Sequence, residues 1–417
     1  MNNNLIIYNA YIVTPKGTTA LQGKAMSNLE KIKEGVIEIT NGRITYVGHS
    51  KEYTKTTDQT AKYTQLDAQG KCVLPGFVDS HTHFVFGGER AEEFSWRLQG
   101  ESYMSIMNKG GGIMNTVRAT RNCTLEELKN KSKPYLTRMI EMGVTTVEGK
   151  SGYGLDKQTE LLQLQVMKEL NNDPTIPIDI VSTYMGAHAL PDEYKGKTSD
   201  YINFMNEEVL PIIKAENLAE FCDVSCEEGV FSIEESRKIM LKAKELGFKL
   251  KLHADEIVTL GGAELAAEVG AVSADHLLHT SDKGIEALAK QKIVATLLPL
   301  TAFSLKEPYA RGRSMIDKGC AIALATDLNP GSCFSGSIPL TIALACIYMQ
   351  LSIEEVITAL TLNGAAALDK ADTIGSIEVG KLGDLLILQS DDYYILPYYF
   401  GMNSVKTVIK KGVILNT

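Results

Sequence analysis

The sequence predicts an α/β protein: a parallel (β/α)8 barrel carrying a small β-sandwich domain built from both chain termini. Three observations predict it. Eight short apolar strand candidates alternate with helical segments across about 300 residues, which matches eight βα units. Both ends of the chain carry β-type patterning without the intervening helical segments. The polar residues able to do chemistry fall at the C-terminal ends of the strand candidates, where barrel enzymes place their sites. The expected boundaries are residues 1–74 plus 376–417 for the β domain and 75–375 for the barrel.

From the N-terminus, Leu5–Val13 is an apolar run and residues 36–40 alternate with a period of two. Asn41-Gly42 then separates them from a third run at 43–47, and this dipeptide is a strong hairpin signal because both residues tolerate positive φ. The C-terminal end repeats the style at 384–388, 405–409 and 413–415. Between the ends, the barrel strands are expected at 77–81, 144–148, 178–183, 221–226, 249–253, 272–276, 293–298 and 321–326. Thr124/Glu127, Ser232/Glu235 and Ser352/Glu355 have the spacing of capping boxes, so helices are expected to begin there. A doubly wound open sheet is the competing architecture, weakened by the absence of a GxGxxG after the first strand.

Composition narrows the function. The chain has 417 residues, 44% of them hydrophobic and 22% charged, as expected of a globular protein with a sizeable core. A net charge of −9 without a dense basic run argues against a nucleic-acid partner. The opening Met1-Asn2-Asn3-Asn4 lacks the regions of a signal peptide, and the longest apolar stretch, 338–349, is too short to span a bilayer. Seven scattered cysteines suit reduced core thiols, so a cytoplasmic location with no membrane partner is expected.

His81 and His83, two apart at the end of the first strand, would project to one side as half of a metal site. His253, Glu256, Asp275, His276 and Asp327 end later strands. Three histidines and a carboxylate can hold one ion and leave a position for water. Such an ion lowers the pKa of bound water from 15.7 to about 7 in favourable sites.

PGFVDSHTH, LHADE, SADHL and ATDLNPGS resemble motifs of the amidohydrolase superfamily of metal-dependent hydrolases. FGGERAEEF, YMSIMNKGGGIMNTVRATR, KSGYGLD, MGAHALP, CEEGVFS and TLLPLTAFSL resemble, more narrowly, the imidazolonepropionase family. That resemblance implies a hydrolase of cyclic amides that opens the ring of 4-imidazolone-5-propanoate with water, giving N-formimino-L-glutamate in histidine degradation. It implies one zinc or iron ion per chain on His81, His83, His253 and Asp327, and a homodimer. It implies catalysis by Glu256, His276 and Asp327. Glu256 with Arg90, Tyr103, Tyr153, His188, Asn329, Gly331 and Ser332 would line the substrate pocket.

Binuclear relatives carry a lysine on strand 4. None stands at 221–226, which favours a single ion, and Lys150 after strand 2 is expected to be structural or to support the ligands. Gly149 departs from the larger residue expected before KSGYG. Two alternatives stay open: another cyclic-amidine hydrolase or deaminase of the superfamily, acting on guanine or an aminopyrimidine, and a barrel that has lost its chemistry.

Overall fold

The computed structural model describes residues 3–101, 105–106 and 109–415. Two sheets organise the chain. Five strands precede the barrel: β1 (Leu5–Thr14), β2 (Glu30–Thr40), β3 (Arg43–His49), β4 (Thr64–Asp67) and β5 (Cys72–Pro75). The barrel strands are β6 (Phe77–Asp79), β7 (Val144–Lys150), β8 (Asp179–Ala187), β9 (Phe221–Cys226), β10 (Lys249–Ala254), β11 (Ser273–His276), β12 (Val294–Leu297) and β13 (Ala321–Leu324). The chain then returns to the first sheet through β14 (Leu385–Leu388), β15 (Val405–Lys410) and β16 (Val413–Leu415).

The terminal strands form one mixed sheet in the order β16-β15-β14-β5-β1-β2-β3, with β4 beside β1. Antiparallel pairing of β14 with β5 stitches the two termini together. Alternation along β1 sends Leu5 and Ile7 into one apolar cluster and Ile6 and Tyr8 into another, so both faces of this sheet are covered. At the expected hairpin, Asn41 and Gly42 take φ of 51° and 78°, the left-handed pair that matches strand twist.

β6 to β13 run parallel in sequence order, as eight consecutive βα units require. All six residues of β9 are buried, since helices cover the outer face and side chains fill the inner one. The three capping boxes form as expected. At Ser352 the two arms are Glu355 N to the serine hydroxyl at 3.2 Å and Ser352 N to the Glu355 carboxylate at 2.8 Å.

The barrel closes between its first and last strands through a buried side chain. Asp79 accepts from Thr326 N at 3.0 Å and from the Thr326 hydroxyl at 2.6 Å, while burial pushes its carboxyl up to about 7. Beyond Asp79 the chain stays clamped between both neighbours: Lys150 N donates to Thr82 O at 3.0 Å and Asp327 N to His81 O at 3.0 Å. The two histidines therefore lie past the end of β6 rather than on the strand expected to reach residue 81. At Gly149 the missing side chain is accounted for, because a Cβ there would stand 2.8 Å from the Phe84 ring and 3.0 Å from the Met167 sulfur.

Candidate metal centre and active site

His81, His83 and His253 come from the ends of β6 and β10, and their ligand nitrogens all lie within 4.8 Å of one another. Asp327, just past β13, brings Oδ1 to 3.6 Å from His81 Nε2 and 4.0 Å from His83 Nε2. The rings are fixed from behind. His81 Nδ1 donates to Asp275 at 2.6 Å and His253 Nδ1 donates to Asp223 at 3.0 Å, which leaves the Nε2 edge of each ring to serve as the ligand. His81 Nε2 is buried and has no hydrogen-bond partner. Nitrogens in that state, facing a buried carboxylate, fit a metal ion.

Burial, then the Lys150 charge, holds the His81 imidazole well below its ordinary range, so it stays neutral. At His253 burial acts the same way, but the Asp223 carboxylate outweighs it and the ring is raised. Asp223 would itself be raised by burial; Lys150 and His253 pull it well below the carboxylate range.

Beneath the ligands lies a buried ionic network that sequence reasoning did not assemble. Lys150 Nζ contacts Asp223 at 2.6 Å, Glu148 at 3.0 Å and Asp275 at 3.6 Å. Lys251 Nζ contacts Glu148 at 2.8 Å and Asp275 at 3.5 Å. All five side chains are fully buried. Lys150 thus supports the ligands, as expected, by gripping the carboxylates behind two of them. The signal was present in the strand alternation: Lys251 sits two residues before His253 on one face of β10, and Glu148 two before Lys150 on β7. His81, Glu148 and Asp275 also group as a second possible ion site, but two ammonium groups already occupy that space.

Above the ligands, His276 ends β11. Its two ring nitrogens are buried without hydrogen-bond partners, Nδ1 standing 3.5 Å from the Glu256 carboxylate. Asp275 does not hold it, because that carboxylate is committed to His81 and to the Ser273 hydroxyl. Burial, followed by the nearby His253, depresses His276 to about 4, and burial raises Glu256 above its ordinary value. Asp327 is also raised by burial; its Oδ2 accepts the Thr301 hydroxyl at 2.6 Å, which leaves Oδ1 toward the histidines.

The backbone at these positions is unusual. His276 and Asp327 have φ of 74° and 54°, a region that costs a non-glycine residue roughly 1–3 kcal/mol. Long-range bonds hold it, including Leu277 N to Ala254 O at 3.0 Å and Asp327 N to His81 O at 3.0 Å.

Three carboxylates shape the loops by collecting backbone amides. Glu227 accepts from the N–H groups of Glu256, Ile257 and Val258 at 2.8, 2.9 and 3.2 Å, and so sets the loop that carries Glu256. Asp255 caps the next helix through Leu260, Gly261 and Gly262. Glu160 holds Gly152, Gly154 and Leu155, the turn around Tyr153.

Around the rim, His188 Nδ1 donates to Gly152 O at 3.1 Å, and the ring stacks on His83 at 4.9 Å between ring centres; burial lowers it to about 3. Tyr153 is buried beside Arg90, which lines a cavity of about 350 Å3 with Gly331 and Ser332. Asn329 is spent on its own turn: Oδ1 accepts from Gly331 N and Ser332 N, both at 2.8 Å, and Nδ2 reaches the Ser332 hydroxyl at 2.9 Å. Tyr103 lies outside the described residues. Neither His49, facing Glu34 on the β domain, nor His279 joins the cluster.

Gly331 is conspicuous because a Cβ there would fall 1.6 Å from Arg90 Nη2. Gly331→Ala should displace the guanidinium and raise KM by about tenfold or more, the worth of a hydrogen bond to a charged group, with kcat little changed. Steady-state kinetics check this; a wild-type KM would show that Arg90 is not needed where it stands.

The amidohydrolase family model matches residues 228–415. The chain is 66% identical over 414 residues to the imidazolonepropionase of Bacteroides thetaiotaomicron, covering 99% of each chain. It is 61% identical over 413 residues to that of Clostridium tetani, covering 99% of this chain and 98% of the relative. Among solved structures, a triazine hydrolase variant superposes with a TM-score of 0.75 at 15% identity, covering 99% of this chain and 94% of that one. E. coli guanine deaminase superposes with a TM-score of 0.72 at 16% identity, covering 99% and 98%. The two structural likenesses speak to the fold alone.

Proposed function

Because the chain belongs to the imidazolonepropionase family, hydrolysing the ring amide of 4-imidazolone-5-propanoate to N-formimino-L-glutamate, we propose that its site works with one ion, zinc or iron, on His81, His83, His253 and Asp327. The observation that carries this reading is the convergence of these side chains, with an imidazole nitrogen buried and unpartnered among them, beside the Arg90 cavity. Three nitrogens and a carboxylate suit either metal. When bound, the ion would act as a Lewis acid that makes water nucleophilic at neutral pH.

The protein's own residues carry the remaining steps. Arg90 holds the propanoate carboxylate, with Tyr153 and His188 as walls, so the ring lies over the histidine cluster. Asp327 Oδ1 takes a proton from the attacking water; its other oxygen is already occupied by Thr301. His276 polarises the ring carbonyl with an otherwise unpartnered nitrogen. Water adds to the carbonyl carbon, the carbon–nitrogen bond breaks, and Glu256 delivers a proton to the departing nitrogen. A deaminase of the same fold would have no use for a carboxylate anchor, and an Arg90 lining the cavity favours the ring-opening reading.

We assign residues 75–375 to the catalytic unit and 1–74 with 376–417 to the appended domain. A homodimer is supported by Tyr398, Phe400 and Met402, large side chains 62–78% exposed on one short segment, and sedimentation would test it. The cysteines, free and mostly buried among the described residues, suit the cytoplasm.

The test is direct. Purified protein given imidazolonepropanoate should release formiminoglutamate and contain one equivalent of metal. A chelator should abolish turnover while leaving the thermal unfolding transition nearly in place, because eight packed βα units supply the core. Two equivalents of tightly bound metal would overturn the single-ion proposal. Cooperative unfolding on metal removal would overturn its catalytic role.

A further inference from the structure

We infer that Arg97 joins Arg90 in a paired-guanidinium subsite for a carboxylate at the barrel mouth, which makes Arg97 a specificity-determining residue for the ring opening. Both arginines line the cavity between helix Ala91–Leu98 and the turn from Pro330 to Ser335. They approach Gly331 from two sides. Arg97 Nη2 donates to its carbonyl at 3.1 Å, while the Arg90 guanidinium fills the space a side chain would take. Arg97 also lies over the Phe94 ring at 5.2 Å.

Two cations line this partly apolar pocket, and neither is held by a carboxylate at contact distance. Glu89 lines the same cavity but points to the Tyr135 hydroxyl at 3.2 Å, and Glu93, which acts on Arg97 only through space, accepts from Gly112 N at 2.9 Å and the Asn115 amide at 3.0 Å. Neither arginine forms an ion pair among the described residues, and the few residues outside that set include no Asp or Glu. Arg90 Nε is buried and has no acceptor. Burial and the Arg90 charge together lower the Arg97 pKa, as expected for like charges held close.

A carboxylate between the two forks resolves each of these features. Its two oxygens offer about four lone-pair sites, enough for both guanidiniums, and it neutralises their repulsion in a pocket walled by Phe94, Phe303 and Phe334. The chemical class is a short aliphatic carboxylate. The substrate's propanoate provides one, and the product keeps it through turnover. This assignment rests on Arg90 being the propanoate anchor.

A double-mutant cycle on the metal-loaded full chain tests it, with Arg90→Met, Arg97→Met and the double variant. Glutarate serves as a competitive carboxylate probe. Each single change should raise KM and the glutarate inhibition constant by about tenfold or more, with kcat and metal content near wild type. The double variant should lose less than the product of the two, because either arginine alone grips the shared carboxylate poorly. Arg97→Lys keeps the charge but not the fork and should fall between. A wild-type KM for Arg97→Met, with KM raised in Arg90→Met, overturns the paired subsite and spares the anchor. A wild-type KM for Arg90→Met overturns the anchor itself. Fully multiplicative losses overturn the sharing of one carboxylate. Should Arg97→Met fail to fold, Arg97→Lys decides: a raised KM supports the subsite and a wild-type KM overturns it.

Discussion

Glu256→Gln should lower kcat by about 10²–10⁴-fold, the usual contribution of a positioned acid–base group, with metal content unchanged. The carboxylate stands 3.5 Å from His276 Nδ1 and leaves 24% of its side chain exposed, so it borders the histidine cluster and is still open to solvent. Its position is fixed through the backbone, because Glu227 collects the amides of residues 256–258 and the glutamine variant keeps that loop intact. Burial raises the Glu256 pKa, which keeps more of the proton-donating form at neutral pH. The sign of the pH effect follows. Wild-type turnover should fall as pH rises through that raised pKa and Glu256 loses its proton, and the glutamine variant should lack this limb. Unchanged kcat across the pH range would remove Glu256 from proton transfer.

Much of this arrangement was legible in the sequence because strand ends and chemistry coincide. The apolar run 221–226 is a strand with those bounds, and the capping boxes at Thr124, Ser232 and Ser352 start helices where the side chains predict. Local signals of that kind depend on residues three or fewer apart. What the sequence concealed depends on partners far along the chain. Asn329 reads as a pocket residue by resemblance, yet its amide holds the turn that carries Gly331, a role visible only once the turn is folded. Glu227 and Glu160 look like ordinary surface acids until loop amides are found pointing at them. The short β4 leaves no pattern in the sequence, because Thr64–Asp67 has mixed polarity and pairs with β1 across nearly sixty residues. Lys150 reads as a supporting residue from its place after strand 2, but its partners Asp223 and Asp275 come from β9 and β11 and leave no local trace.

Lys150→Met should strongly destabilise the barrel, costing roughly 3–5 kcal/mol, because it strips a buried cation from three carboxylates. The Lys150 ammonium is fully buried and contacts Asp223, Glu148 and Asp275. Burial opposes its charge, yet the three acids outweigh burial and raise its pKa, so it enters the fold as a cation. Lys251 can still neutralise Glu148 and reach Asp275, but it makes no ion pair with Asp223, which would be left with His253 alone, on its ring and its backbone N–H. An unsupported Asp223 should also let His253 turn, and loss of a partner behind a metal ligand typically weakens metal binding by 10–100-fold. Thermal unfolding of the metal-free protein and competition for metal with a chelator separate the two effects. Glu148→Gln added to Lys150→Met removes one negative charge with the positive one, and it should restore part of the stability. It should restore little of the metal affinity, because Glu148 does not touch a metal-ligating histidine, whereas Asp223 does. Wild-type stability in Lys150→Met would mean that Asp223 and Asp275 find their countercharge elsewhere, and full recovery of metal affinity in the double variant would mean that Lys150 acts through Glu148 rather than through Asp223.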